Sequence, residues 1–266
     1  MYIPKFIITN KILKNIGVIE ACREVIDKAH LLPYYEKQFR DDALIRTVHY
    51  GTHIEGNELN IDQAENVIMG KDVVGRQRDI QEVINYRKVM QYIEDMGESE
   101  RVRESEPIVN ESLIKELHKL TVKKILSAET IGEYRKKQVV VKNSYTGKVS
   151  FRPPLSVAIP FQIKDLIVFI NSKSEQDIHP VLKSGSVHYE LVRIHPFLDG
   201  NGRVARALST LILFLEGYDI RKFFSLEEYF DKEAVRYYDA LQSVGKNDGD
   251  LTKWLEYFTE GLAIEL

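Results

Sequence analysis

Twelve consecutive residues, 195–206, combine a histidine, a carboxylate, closely spaced glycines and two arginines in the order HPFLDGNGRVAR. Pro196 interrupts a helix, while Gly200 and Gly202 permit backbone conformations that are closed to other residues. An apolar helical pattern resumes at Val204. We therefore expect this turn to open the N-terminus of a helix.

Free amide groups at such a helix N-terminus attract an anion, helped by the positive end of the helix dipole. Arg203 and Arg206 lie three residues apart, on one face of the expected helix. Because arginine forks match phosphate oxygens, the pair predicts a polyphosphate site. Asp199 is suited to hold Mg²⁺, whose other ligands would be phosphate oxygens and water. His195, before the turn, is suited to accept a proton from an attacking hydroxyl.

Two other kinds of site are disfavoured. His195 and Asp199 have the four-residue spacing of a metal pair on a helix, but Pro196 between them breaks the helix that a zinc site of this type needs. A phosphate-binding P-loop also fails, because Gly147 and Lys148 lack the earlier glycine and lie in a predicted hairpin.

Composition limits the classes of protein to consider. The chain has 266 residues, 44% of them hydrophobic, which is enough for a full core in one or two domains. The net charge of −3 gives no reason to expect nucleic acid as a partner. Cys22 is the only cysteine, so no intramolecular disulfide forms. Without a signal-peptide pattern or a long apolar run, we expect a cytoplasmic protein that does not enter a membrane.

Helical periodicity dominates and predicts an all-α fold with one small β element. The candidate helices cover residues 17–29, 59–69, 79–96, 110–126, 163–172, 180–193, 202–216, 226–244 and 250–264. The helices on either side of the HPFLDGNGRVAR segment carry broad apolar faces, so we expect them to form the buried centre. Ser184, Gly185 and Ser186 would let a neighbouring helix approach the first of them closely. The β element is a hairpin at residues 138–153, with a turn-rich centre that ends at Gly147.

The 195–206 segment matches without a gap the HPFx(D/E)GNGRxxR signature of Fic-domain proteins, most of which are adenylyltransferases, and the chain therefore resembles that family. The resemblance implies the Fic fold, a helical bundle around two central helices joined by this loop, with a small hairpin flap. It also implies that His195 is the general base and Asp199 the Mg²⁺ ligand. A related phosphotransferase branch has Lys at the position of Gly202, so the glycine favours transfer of AMP.

The same resemblance assigns the ATP site. The α-phosphate is expected at Asn201 and the neighbouring amides, and the β- and γ-phosphates at Arg203 and Arg206. Family tyrosines at the positions of Tyr237 and Tyr238 line the adenine pocket, although such a pair by itself is more often core. The implied ATP-binding residues are Val141, Asp199, Gly200, Asn201, Gly202, Arg203, Arg206, Tyr237 and Tyr238, with Asn247 as a weaker candidate.

The hairpin at 138–153 follows a GxYRxxxV pattern that starts at Gly132. In Fic proteins this segment is a flap that covers the active site and docks the target. The resemblance thus implies a target protein paired along the flap edge through main-chain hydrogen bonds. A hairpin that only pads the core is the alternative.

Residues 51–57 read GTHIEGN and resemble the (S/T)xxxE(G/N) inhibitory motif of Fic proteins. The resemblance implies that Glu55 pairs with Arg206 and withholds it from the γ-phosphate. Gly51 stands where the family has Ser or Thr, so we expect Thr52 to supply the supporting hydroxyl from a shifted position. Taken alone, Glu-Gly-Asn at this place is typical of a helix C-terminus.

Together these features predict a protein adenylyltransferase that transfers AMP from ATP, with Mg²⁺, to a Ser, Thr or Tyr hydroxyl of a target protein. A de-AMPylase that uses the same site and a non-catalytic nucleotide-binding module are the alternatives. Residues 1–100 are expected to form an N-terminal helical region with the inhibitory segment, and residues 101–266 the catalytic core. The oligomeric state is left open, a homodimer included.

Overall fold

The computed structural model describes residues 1–100, 109–142, 149–172 and 178–266. The helices are α1 Asn10–Lys28, α2 Pro33–His53, α3 Ile61–Ile68, α4 Gln77–Glu100, α5 Glu111–Val122, α6 Ile159–Asn171, α7 Pro180–Ile194, α8 Asn201–Leu215, α9 Leu226–Lys232, α10 Ala234–Lys246 and α11 Thr252–Glu265. The strands are β1 Val141–Lys142 and β2 Val149–Phe151. Within these residues no helix is long and apolar enough to cross a membrane.

Side-chain caps begin several helices. The Thr9 hydroxyl accepts a hydrogen bond from the Ile12 amide at the start of α1, and Asn110 accepts one from Leu113 at the start of α5. At α3, Asn60 and Gln63 form a reciprocal capping box. Each cap satisfies an amide that has no partner inside its own helix.

Helices α7 and α8 form the centre of the molecule, as the sequence predicts. Nearly every residue of α8 is buried, and α4 and α5 pack against it. The small residues of α7 permit close contact: the Ser184 and Ser209 hydroxyls lie 2.8 Å apart. A Cβ at Gly185 would come within 2.9 Å of Leu255 on α11. The prediction of an all-α fold is confirmed, and the loop between α7 and α8 is held at both ends by buried helices.

Helix α2 is absent from the helices predicted above. Its buried face consists mainly of small and polar residues, which give no apolar stripe for a periodicity search to find. These residues are Ala43, Thr47, Val48, His49, Gly51 and Thr52. The helix forms through tertiary contacts with α4 and α9. It ends just before Glu55.

The predicted helix over 226–244 is two helices, α9 and α10. The chain leaves helical geometry at Glu233, whose φ is −110° and ψ 34°. Helix α9 begins after Ser225, whose hydroxyl accepts from the Glu228 amide. This break sets the direction of α10, which carries Tyr237 and Tyr238.

The predicted hairpin is present in its paired strands. Val141 pairs with Phe151 and Lys142 with Val149 in an antiparallel register. The hairpin is anchored at its base, where Arg135 donates to the Pro154 carbonyl at 2.6 Å. The predicted turn at residues 143–148 lies outside the described residues.

Candidate active site

His195 ends α7 in a left-handed conformation, with φ 50° and ψ 59°. This backbone is uncommon for a residue with a side chain, so surrounding contacts must hold it. Buried Arg135 provides them: its Nε donates to the His195 carbonyl at 2.8 Å, and its backbone amide donates to the Pro196 carbonyl at 2.8 Å. The segment before the hairpin thereby fixes the position of the candidate base.

The His195 ring has one nitrogen engaged and one available. Nδ1 lies 3.3 Å from the Val192 carbonyl, which can only accept, so Nδ1 carries the proton in this contact. Nε2 then keeps its lone pair. Burial lowers the pKa of His195, and the contact with Val192 acts in the opposite direction without cancelling it. The ring is therefore neutral at pH 7 and suited to accept a proton.

Asn201 holds the loop in shape. Its Oδ1 accepts from the Phe197 amide at 2.9 Å, and its Nδ2 donates to the Phe197 carbonyl at 3.0 Å. The side chain is buried, with both polar atoms used inside the loop. The side chain of Asn201 therefore fixes the turn. Its backbone amide, at the start of α8, is the group that it can offer to a phosphate.

His118 on α5 also supports this loop and is not among the predicted site residues. Its ring stacks on Phe197 with centroids 3.8 Å apart, and its Nδ1 accepts from the Gly132 amide at 2.9 Å. Nε2 therefore carries the proton and faces the Asp199 carbonyl at 3.2 Å. Burial lowers the pKa of His118 to about 4, which keeps this arrangement intact at neutral pH. A single histidine in an amphipathic helix gives no sequence signal for such a role.

The N-terminus of α8 faces a carboxylate. Gly200 caps the helix with a φ of 77°, a value that favours glycine. A Cβ at Gly202 would overlap Oε1 of Glu55, so a side chain there would displace the carboxylate from its present place. The side chain of Glu55 therefore occupies the space over the first turn of α8, where backbone amides attract anions.

Glu55 is paired with Arg206. The Arg206 Nη2 donates to Glu55 Oε1 at 2.8 Å and to the Gly51 carbonyl at 2.8 Å. Arg206 is 2% exposed, whereas the Glu55 side chain is 30% exposed. The predicted contact between the inhibitory segment and the second arginine is present in the geometry.

The Thr52 hydroxyl does not support Glu55. It donates within its own helix, 3.0 Å from the carbonyls of Val48 and His49. The expectation that Thr52 replaces the missing Ser or Thr is therefore wrong. Instead the Thr52 carbonyl accepts from the Glu55 amide at 3.0 Å, so the turn itself positions the glutamate.

Gly51 is required by packing, because a Cβ there would lie 2.4 Å from the Tyr86 ring and 3.1 Å from Glu227. We expect Gly51→Ala to destabilise the protein by about 1–3 kcal/mol, the usual cost of overpacking a core. Gly17→Ala is the matched control, since nothing lies within 4 Å of its Cβ position in α1. That change should stabilise by about 0.5–1 kcal/mol. Urea denaturation of both variants checks the difference, and equal midpoints would contradict it.

Asp199 is held by cations from two helices. Its Oδ2 lies 2.7 Å from Arg78 Nη2 of α4, and its Oδ1 lies 3.4 Å from Arg203 Nη2. Burial acts to raise the pKa of Asp199, but the charges of Arg203 and Arg78 and a hydrogen bond from the Gly200 amide lower it below its ordinary value. The carboxylate is ionised, as a metal ligand must be.

Buried Glu82 ties this cluster to the inhibitory segment. Its Oε1 lies 3.3 Å from Arg203 Nη1 and 3.1 Å from Arg78 Nε. Its Oε2 accepts from Asn57 Nδ2 at 3.1 Å, two residues after Glu55. Arg203 is 1% exposed and its Nε has no hydrogen-bond partner among the described residues. This guanidinium therefore has donor capacity left for a ligand.

A cavity of about 360 Å³ opens beside these groups. Its lining brings together six predicted site residues: Glu55, Val141, His195, Gly202, Tyr237 and Tyr238. The other five do not line it: Asp199, Gly200, Asn201, Arg203 and Arg206. Tyr237 is buried and its hydroxyl lies 2.9 Å from Nε2 of His188, while Tyr238 is 43% exposed. A mainly apolar cavity that meets a helix N-terminus suits a nucleotide.

The polar residues at the far end of the cavity differ from the prediction. Gln242 and Lys246 line it, together with Gly245. Asn247, the weaker candidate, is the C-terminal cap of α10 and is not part of the lining. The spacing of four residues from Tyr238 to Gln242 and again to Lys246 is the helical signal that could have identified both.

Residues 108–213 match the model of the Fic/DOC family. This part of the chain is therefore similar to a Fic domain. The matched range covers α5, the hairpin, α6, α7 and most of α8, and so includes His195, Asp199 and both arginines of the motif. Glu55, Tyr237 and Tyr238 lie outside the matched range.

Curated relatives are similar to most of this chain and are longer than it. The chain is 27% identical over 252 residues to the protein adenylyltransferase Fic of Culex quinquefasciatus, which covers 93% of this chain and 46% of the relative. It is 28% identical over 229 residues to the protein of the same name from Aedes aegypti, covering 84% of this chain and 41% of the relative. The chain thus spans less than half the length of these relatives.

Solved structures confirm the predicted Fic fold. A Fic family protein from Desulfovibrio desulfuricans superposes with a TM-score of 0.81 at 28% identity, over 99% of this chain and 75% of that one. A Fic domain containing signaling protein from Bacteroides thetaiotaomicron superposes with a TM-score of 0.76 at 21% identity, over 96% of this chain and 95% of that one. The second likeness supports the fold alone.

Proposed function

We propose that the protein transfers AMP from ATP to a Ser, Thr or Tyr hydroxyl of a target protein. The observation that carries this proposal is that His195, a neutral base, and Gly202, in the first turn of α8, line one cavity. A base thus lies next to an anion-binding helix N-terminus. The names of the Culex and Aedes relatives agree with this activity.

Each part of ATP has a place in this proposal. The base and ribose occupy the cavity between Val141 and Tyr238. The α-phosphate meets the amides at the start of α8, and the β- and γ-phosphates meet Arg203 and Arg206. Because both guanidiniums are buried and fixed, they bind phosphate without losing much side-chain freedom.

The reaction is one substitution at phosphorus. The target hydroxyl oxygen bonds to the α-phosphorus, the bond from that phosphorus to the β-phosphate oxygen breaks, and pyrophosphate leaves. Nε2 of His195 takes the hydroxyl proton, as its neutral ring allows. The amides of α8 and both arginines stabilise the growing negative charge on the phosphates.

Asp199 would suit Mg²⁺ held by one carboxylate next to a bound triphosphate. Asp199 is ionised and its side chain is 32% exposed, and the described residues contain no cluster of three or more metal-ligating side chains. Mg²⁺ commonly uses few carboxylates and keeps several waters. When bound, Mg²⁺ would neutralise charge on the phosphates. Asp199 would hold it, and Arg78 would have to release Oδ2 first.

We expect Arg78→Ala to strengthen Mn²⁺ binding at Asp199, because it removes a cation 2.7 Å from the carboxylate. Arg78 is 57% exposed, so the gain should be only about two- to fivefold in Kd. Arg76→Ala is the matched control: Arg76 pairs with Asp79 and Glu58, away from Asp199. Titration followed by the electron paramagnetic resonance of free Mn²⁺ measures both. A higher Kd for Mn²⁺ in Arg78→Ala would contradict competition between Arg78 and the metal ion for Asp199.

In this proposal Glu55 restrains the enzyme. Its carboxylate holds the Arg206 group that the γ-phosphate needs and fills the space over Gly202. Placing a triphosphate there would bring like charges together. ATP bound beside Glu55 would therefore keep its γ-phosphate displaced and its α-phosphate out of line with the incoming hydroxyl.

The target protein would dock on the flap, residues 138–153. Strands β1 and β2 form a two-stranded sheet beside the cavity, whose lining includes Val141 and Phe151. A target segment added to an edge of this sheet would bring its hydroxyl towards His195. Release of pyrophosphate that depends on added target protein, with a mass increase of one AMP on that protein, tests the proposed function.

Removal of AMP from a modified target is a second candidate. It is favoured by one observation, that Glu55 and His195 line the same cavity. A carboxylate there could position a water against a bound AMP group. AMP released from a pre-labelled target by the wild type, and lost on Glu55→Gln, would support it.

A further inference from the structure

One end of the cavity is formed by Gln242, Gly245 and Lys246 of α10, and we call it the base end. Gly202 of α8 lies against Glu55 at the phosphate end. The Tyr238 hydroxyl lies 3.5 Å from the carbonyl of Ile54, next to Glu55, so the part of α10 before Gln242 is near that end. Because an α-helix rises about 1.5 Å per residue, Lys246 lies roughly 12 Å along α10 from Tyr238. A nucleotide with its phosphates at α8 therefore extends its base towards these residues.

The base end offers unused hydrogen-bonding groups. The Gln242 amide can donate and accept, whereas the Lys246 ammonium can only donate. Neither side chain has a hydrogen-bond or ion-pair partner within the part of the chain that the structure describes. Gly245 between them leaves open space, with nothing within 4 Å of its Cβ position.

These groups match both purines. Adenine presents an N7 acceptor and an N6 donor on one edge, which a glutamine amide pairs with through two hydrogen bonds. Guanine presents two acceptors, N7 and O6, on the same edge, and a lysine donates to them. Since Gln242 and Lys246 lie one helical turn apart on α10, the same edge of one bound base can meet either side chain.

Building on the proposed transferase, we infer that this site accepts GTP as well as ATP, with Gln242 reading adenine and Lys246 reading guanine. The protein then also transfers GMP. The target oxygen bonds to the α-phosphorus of GTP, pyrophosphate leaves with the bonding electrons, and His195 takes the hydroxyl proton. The phosphate contacts are the same for both nucleotides, so the base end alone sets the ratio of the affinities for ATP and GTP.

Calorimetric titration of ATP, GTP and CTP into the Glu55→Gly protein tests this inference. We expect ATP and GTP to bind within about tenfold of each other, and CTP more weakly than both. Gln242→Leu should weaken the binding of ATP more than that of GTP, and Lys246→Met should weaken the binding of GTP more than that of ATP. Each difference should be about five- to a hundredfold in Kd. Lys253→Met is the control, because Lys253 is an exposed lysine on α11 outside the cavity.

The outcomes separate the two proposals. Two results would overturn the base assignment and leave AMP transfer standing. One is a Kd for GTP more than a hundredfold higher than that for ATP, and the other is a ratio of the two Kd values that does not change in Lys246→Met. Failure of every triphosphate to bind overturns both. Thermal denaturation of each variant shows that it is folded, so a loss of binding is attributed to the missing side chain.

Discussion

Glu55→Gly should raise the rate of AMP transfer by roughly 10- to 100-fold, which corresponds to the loss of one charge-assisted hydrogen bond. The reason is the 2.8 Å contact between Glu55 and Arg206 Nη2. Without the carboxylate, Arg206 is free for the γ-phosphate and the space over Gly202 is open to phosphate. Initial rates of target labelling at saturating ATP measure the change.

Glu58→Gly is the matched control for this prediction. Glu58 is three residues further along the chain, is 72% exposed and pairs with Arg76. It does not line the cavity. Its loss should leave the rate unchanged. Glu55→Gln removes the charge but keeps a side chain over Gly202, so its rate should lie between those of the wild type and Glu55→Gly. Equal labelling by the wild type and Glu55→Gly would show that Glu55 does not restrain the site.

His195→Ala in the Glu55→Gly background should lower the transfer rate by about 10²–10⁴-fold, the usual contribution of a positioned general base. Nucleotide binding should change by no more than about twofold, because the effect falls on kcat. His30→Ala is the control, since His30 is an exposed histidine before α2. Single-turnover labelling with a parallel ATP titration measures both quantities. A comparable loss of ATP affinity would instead make His195 a binding residue.

The pH profile gives this prediction a second readout. Burial disfavours the charged imidazole and lowers the pKa of His195. The ring therefore stays neutral, and active as a base, down to a pH below the ordinary histidine pKa. Transfer should fall only as pH drops through that lowered value. An inflection above the ordinary value would contradict the proposed role of burial.

The central elements could be predicted because their patterns are local. Apolar periodicity identifies α7 and α8, and Pro196 with Gly200 marks the turn between them. Helix α2 could not be found in this way, since its buried face is made of small and polar residues that tertiary contacts select. The break at Glu233 likewise has no glycine or proline beside it to mark it in the sequence.

In the candidate site too, residues in a local sequence pattern could be predicted, and residues brought together by the fold could not. The residues of the contiguous motif were identified from spacing, and the pairing of Glu55 with Arg206 was expected from a resemblance. Arg78 and His118 were not found, because each acts from another helix on a backbone or carboxylate group that sequence does not place nearby. Gln242 lies on α10 at a regular spacing, but which face of α10 lines the cavity depends on the fold.

The most direct test of the proposed transfer places radioactive phosphorus in either the α or the γ position of ATP. The Glu55→Gly protein, the same variant with His195→Ala, and the wild type are each incubated with a cell lysate and either label. We expect a protein band labelled from the α position only, strongest with Glu55→Gly and absent with His195→Ala. Label transferred from the γ position would instead identify a kinase, and no label from either position would contradict transfer to protein.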